Sequence, residues 1–108
     1  MILAIFIKNI ASIINHFGRN NQLNKAKEEL KELKEAIEEL QIYEQCPVKR
    51  EEIFKKKKYN ILQEMADVYV MLEQLQFIMD ISDDDINNMI ENKINRTLFR
   101  IQANYYRK

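Results

Sequence analysis

The chain has 108 residues, enough for one ordinary domain, and its 17 basic and 17 acidic side chains give a net charge of zero. This balance argues against a dedicated nucleic-acid binder or a polybasic membrane protein. One Gly and one Pro exclude turn-rich sandwiches and barrels as well as glycine-loop nucleotide folds. One Cys and one His exclude an internal disulfide, a cysteine zinc site and any site that needs two histidines. The composition therefore predicts a single all-α domain over residues 1–108.

The first predicted helix spans about residues 2–16, where apolar residues recur at helical spacing. Gly18 follows it, and glycine is common just after a helix end. The apolar start is interrupted by Lys8, lacks the basic region and cleavage site of a signal peptide, and is far shorter than the ~20 residues of a spanning helix. We therefore expect a cytoplasmic protein without a membrane segment.

Three more helices are predicted, over about residues 20–44, 52–80 and 83–106. Apolar residues in the second helix step by three and four, and Pro47 places a turn after it. The start of the third helix is not fixed by its pattern. Ser82 and the three aspartates that follow favour the start of the fourth helix, because a hydroxyl and negative charge stabilise a helix N-terminus. The four segments predict a four-helix bundle.

Two pairs of acidic residues are candidate metal ligands. Glu29 and Glu32 lie three residues apart on one flank of the second helix and could converge on one cation, although this composition is also typical of a solvated face. Glu64 and Asp67 are the only charged residues between positions 64 and 72 and lie on an otherwise apolar face of the third helix. Isolated buried carboxylates cost several kcal/mol unless they are protonated, paired or bound to metal.

Two explanations for these acids need no metal: raised pKa values of the carboxyl groups, or salt bridges to Lys25 or Arg96. If the second and third helices instead pack antiparallel, all four carboxylates can enclose one pocket. An all-oxygen ligand set without histidine favours Mg²⁺ or Mn²⁺ over zinc, and the missing Glu-x-x-His motif argues against a di-iron site. Mg²⁺ held in this way takes further ligands from substrate phosphates and activates water.

A basic face on the fourth helix could complete a phosphate site. Lys93, Arg96 and Arg100 are spaced three and four apart and could bind a di- or triphosphate. Ordinary surface charge on an amphipathic helix gives the same pattern. Nucleic-acid binding through this face and the basic run at residues 55–58 is the weakest alternative.

Three segments carry a family resemblance: Ile14–Gly18, Gln22–Leu33 and Glu64–Val68. Together they resemble the MazG-like all-α nucleoside triphosphate pyrophosphohydrolases, over about residues 10–101. The mark of that family is Glu-x-x-Glu followed by Glu-x-x-Asp, matched here by Glu29 and Glu32 and then by Glu64 and Asp67. The interval between the two motifs is longer than in many members, and Lys31 stands where glycine is common.

The resemblance implies Mg²⁺-dependent hydrolysis of a nucleoside triphosphate to the monophosphate and pyrophosphate, in nucleotide-pool cleaning, by a homodimer or homotetramer. It implies the four acids as metal ligands, with Glu29 or Glu32 also orienting the attacking water. Substrate contacts are expected from four residues of the second and fourth helices: Gln22, Lys25, Lys93 and Arg96.

A non-catalytic helical module that binds a protein partner is the alternative function. In that case the acids would form a salt-bridge network and would need no metal. The response of the protein to Mg²⁺ therefore separates the two hypotheses.

Overall fold

The computed structural model describes residues 7–107. It contains four helices, α1 (Ile7–Phe17), α2 (Arg19–Glu44), α3 (Glu51–Ile78) and α4 (Asp83–Arg107), and no strand among the described residues. The all-α fold of four helices is thus confirmed, and every predicted helix bound that the structure describes lies within two residues of the observed one. Residues 2–6 of the first predicted helix lie outside the described residues.

The corner between α1 and α2 is made by the single glycine of the chain. Gly18 has φ 89°, a backbone region that residues with a Cβ rarely adopt, and its N–H donates to the carbonyl of Ile14 over 2.8 Å. The corner folds α1 back so that Ile10 and Ile14 are buried, and α1 contacts both α2 and α3.

The connection between α2 and α3 is tied by a tyrosine. The hydroxyl of Tyr43, a buried residue, donates to the carbonyl oxygen of Arg50 over 2.7 Å and accepts from the backbone N–H of Arg50 over 2.8 Å. Arg50 immediately precedes α3, and its own side chain does not cap that helix. The tyrosine thus fixes the start of α3 so that this helix returns along α2. The two helices therefore pack antiparallel, the arrangement under which the sequence allows the four acids to meet.

The connection between α3 and α4 has the predicted hydroxyl cap. The Oγ of Ser82 accepts the backbone N–H of Asp85 over 3.1 Å, and the first turn of α4 carries three aspartates. The amide of Gln76 donates to the carboxylate of Asp83 over 2.6 Å. These contacts set where α4 begins, because they satisfy groups of its first turn.

Beyond its first turn, α4 stands apart from the other helices. Within the described residues its backbone makes no close contact with α1, α2 or α3. Ile90, Ile94 and Leu98 follow one face of α4 and are 46%, 53% and 58% exposed. The radius of gyration is 18.1 Å, whereas a compact chain of ~100 residues has about 13 Å. The apolar interface of this chain is therefore built by α1, α2 and α3, and the apolar face of α4 is left uncovered.

None of the helices, over the residues described, is long and apolar enough to span a membrane.

Candidate metal centre

Four carboxylates meet at the interface of α2 and α3. One carboxylate oxygen from each of Glu29, Glu32, Glu64 and Asp67 lies within 4.8 Å of the other three. Residues three apart project from adjacent turns of one helix, so each helix presents two acids to the other. The structure brings together the four acids that the sequence singled out as metal ligands.

The cluster is buried on one side and open on the other. Glu29 is only 6% exposed and Glu64 is half-buried, whereas Glu32 and Asp67 are exposed. The Oε2 atoms of Glu29 and Glu64 are both buried without a hydrogen-bond partner. Burying a carboxylate oxygen in this way costs free energy unless a cation or a donor satisfies it. These orphaned oxygens fit a cation that is reached from the open side.

One oxygen of Glu29 is satisfied by a lysine of the same helix. Lys25 Nζ lies 3.2 Å from Glu29 Oε1 and 3.6 Å from the carboxylate of Glu28. The hydrogen bond and the charge of Glu29 raise the pKa of Lys25, with a smaller effect of Glu28. The salt bridge to Lys25 considered from the sequence is therefore present, but one lysine cannot neutralise four acids. Among the described residues, Arg96 makes no ion pair with the cluster.

The proximity of the acids contributes to a raised pKa of Asp67. Although Asp67 is exposed overall, the loss of water around its carboxyl raises this pKa above the usual 3.8; the negative charge of Glu29 raises it further, while Lys25 lowers it. Both main causes disfavour the ionised form of Asp67. A divalent cation between the acids would act in the opposite direction, because it stabilises negative charge.

The candidate substrate residues fall into two groups. Lys25 lies beside the cluster, and Gln22 lies in the α2–α3 interface, where its Nε2 donates to the Oε1 of Gln74 over 2.8 Å. Lys93 and Arg96 are exposed on α4, whose backbone does not approach α2 or α3 within the described residues. The structure thus places Lys25 beside the acids and Gln22 about two helical turns from Glu29, and it does not bring the basic face of α4 to the acids within one chain.

Gln74 was missed by the sequence analysis. It is 2% exposed, the most buried large side chain described, and its Oε1 accepts from Gln22 of α2. Its neighbours Glu73 and Gln76 are polar too, so the local sequence gives no signal that this particular amide is buried.

The donor set defines the kind of ion that this centre can hold. The four side chains offer only carboxylate oxygens, which are the ligands of hard divalent cations such as Mg²⁺ and Mn²⁺. Comparison of the chain with protein families, with curated proteins and with solved structures finds no match in any of the three. Its function is therefore inferred from the geometry of this centre and from the sequence motifs.

Proposed function

We propose that this protein is a Mg²⁺-dependent nucleoside triphosphate pyrophosphohydrolase, which converts a ribo- or deoxyribonucleoside triphosphate to the monophosphate and pyrophosphate. The observation that carries the proposal is the convergence of the four carboxylates within 4.8 Å, with buried oxygens that lack a partner. The resemblance of both acidic motifs to MazG-like enzymes supports the reaction class. The proposal includes clearance of unwanted nucleotides from the cytoplasmic pool.

In this proposal Glu29, Glu32, Glu64 and Asp67 hold Mg²⁺ or Mn²⁺. A bound ion of this kind neutralises phosphate charge and lowers the pKa of a coordinated water. Glu32 is the better placed of the two α2 acids to accept a proton from the attacking water, because it is exposed at the open side. Glu29 is nearly enclosed and already accepts from Lys25. Lys25 lies where it could contact a phosphate oxygen of the substrate.

The proposal also includes a homodimer or homotetramer, with α4 in the subunit contact. Ile10 and Ile14 of α1 are buried within the chain, whereas the apolar face of α4 has no cover from α1, α2 or α3 in the part of the chain described. Lys93 and Arg96 could then reach the phosphates bound at the centre of a second copy, since they do not reach their own.

A pyrophosphate-release screen over ribo- and deoxyribonucleoside triphosphates, with Mg²⁺ or Mn²⁺, tests the proposal. We expect turnover of at least one nucleotide and a loss of about 100-fold or more in Glu64→Gln, which removes a ligand charge without changing side-chain size. Mg²⁺ should raise the melting temperature of the parent but not of Glu64→Gln, because only a bound ligand stabilises the folded state.

Glu38→Gln is the matched control, since Glu38 is an exposed acid of α2 outside the cluster. It should keep both the turnover and the Mg²⁺ response. If no nucleotide is hydrolysed and Mg²⁺ leaves the melting temperature unchanged, the enzymatic proposal is wrong.

The uncovered face of α4 favours a second candidate, a non-catalytic module that binds an apolar groove of a partner protein. That function predicts no response to Mg²⁺ and unchanged partner binding in Glu64→Gln.

A further inference from the structure

Two polar contacts between α2 and α3 flank the carboxylate cluster at equal distances. Gln22 precedes Glu29 by seven residues, and Gln74, its partner, follows Asp67 by seven residues. Seven residues are about two helical turns. The glutamine pair and the acids of Glu29 and Asp67 therefore belong to one antiparallel register.

The contact on the other side follows the same register. Glu39 lies seven residues beyond Glu32, and Lys57 lies seven residues before Glu64. Lys57 Nζ is 3.6 Å from Glu39 Oε2. This ion pair is largely exposed, so it contributes little to holding the helices in place.

The glutamine pair is the buried contact of the two. Gln22 is 7% exposed and Gln74 is 2% exposed, and the Nε2 of Gln74 has no hydrogen-bond partner. Two apolar side chains would fill this space without an orphaned donor. A buried polar pair that does not maximise stability is best understood as a device that selects one packing arrangement over others.

Small side chains lie beside the cluster on α2. Ala26 and Ala36 are buried there, and Leu33 between them is partly buried. A slip of one turn would place Gln22 opposite Met71 or Ile78, which offer its amide no strong hydrogen-bond partner. The glutamine pair thus penalises a slip of α2 along α3.

The acids themselves cannot hold this register. Four carboxylates within 4.8 Å repel one another, so their charges oppose the helix register that brings them together. Another contact between α2 and α3 has to keep the two pairs of acids together when no cation is bound.

We infer that the buried Gln22–Gln74 hydrogen bond fixes the register of α2 against α3 and thereby positions Glu29 and Glu32 opposite Glu64 and Asp67. Both glutamines are positioning residues, since they act through the carboxylates. The consequence for cation affinity rests on the proposed function, whereas the consequence for register does not.

The double variant Gln22→Met with Gln74→Met tests the inference, because methionine keeps the side-chain length and removes both amides. Spin labels at Lys34→Cys and Lys58→Cys, two exposed positions, report the distance between the helices in a Cys46→Ser background. The parent should give one narrow distance. The double variant should add a population displaced by about one turn, ~5.4 Å along the helix axis.

Mn²⁺ titration of the unlabelled proteins measures the effect on the centre. The dissociation constant of the double variant should rise about tenfold, while its melting temperature equals or exceeds that of the parent. This combination separates a role in register from a role in stability. The single variant Gln74→Met should have a lower melting temperature than the parent and the double variant, because it leaves the amide of Gln22 buried without a partner.

Met71→Leu is the matched control, a volume-conserving change at a buried position of the same interface. It should keep the single distance and the Mn²⁺ affinity of the parent. The inference is overturned if the double variant also keeps the single distance and the Mn²⁺ affinity of the parent. If the parent binds no Mn²⁺, the proposed function fails, and the distance measurement alone decides the role of the glutamines.

Discussion

Bringing the four acids together costs free energy, and this cost can be located at individual carboxylates. Asp67 has a raised pKa because desolvation of its carboxyl and the charge of Glu29 both oppose its ionisation. Glu29 is almost enclosed, with one oxygen on Lys25 and the other without a partner. In the absence of a cation the raised pKa of Asp67 favours proton uptake by this carboxyl, so it makes the stability of the folded protein depend on pH.

We predict that, in a chelating buffer, stability decreases as the pH rises from about 4 through the folded-state pKa of Asp67. The folded protein holds the Asp67 proton in a range where the unfolded chain has already released it, so each increment of pH favours unfolding. Asp67→Asn should reduce the dependence of stability on pH and raise the metal-free melting temperature at pH 7. Thermal melts between pH 4 and 8 measure both effects.

Asp84→Asn, an exposed change in the first turn of α4, is the control and should keep the slope of the parent. An unchanged slope in Asp67→Asn would show that this carboxyl does not govern the pH response. Mn²⁺ affinity should show the opposite trend and weaken as the pH falls, since a ligand carboxylate must be ionised.

Pairs of helices determine whether the acids meet. The spacing within each acidic pair could be predicted, because helical geometry is local. Convergence of the two pairs was predicted only on the condition that the helices pack antiparallel, which the turn at Pro47 allows and the structure shows. The difference in burial between Glu29 and Glu32 was not predictable, since it depends on the rotation of α2 against α3. A glutamine such as Gln22 on the flank of an amphipathic helix gives no sign of a buried partner 52 residues away.

The turn between α2 and α3 gives a prediction at this scale. Tyr43→Phe removes both hydrogen bonds to Arg50 and should lower the free energy of unfolding by about 1–2 kcal/mol. Urea unfolding measures this loss. Tyr59→Phe, a change at an exposed tyrosine of α3, should have almost no effect. Equal stability of the two variants would mean that the tyrosine hydroxyl does not hold the turn.

At the scale of the whole molecule, the position of α4 is the main feature that the sequence left open. Apolar residues recur along one face of this helix, and the helix itself forms as predicted. Periodicity identifies such a face but does not say whether the same chain covers it. The extended shape and the exposed Ile90, Ile94 and Leu98 show that α1–α3 do not.

We predict that Ile94→Glu shifts the protein towards the monomer, because it places a charge in the centre of the uncovered face of α4. Light scattering after size-exclusion chromatography measures the mass over a range of concentrations. Asn95→Glu adds the same charge at the next position of the helix, away from the apolar face, and should keep the parental mass. A parent that is monomeric at micromolar concentration would contradict the subunit contact.

The isolation of α4 also has a consequence for the order of events during synthesis. In the described part of the chain, all close contacts between helices involve α1, α2 and α3, which leave the ribosome before α4 does. Synthesis proceeds from the N-terminus, so N-terminal units can fold before the rest of the chain is made. The hairpin that carries the acids can therefore close on a nascent chain, and association of finished polypeptides follows as a separate, concentration-dependent step.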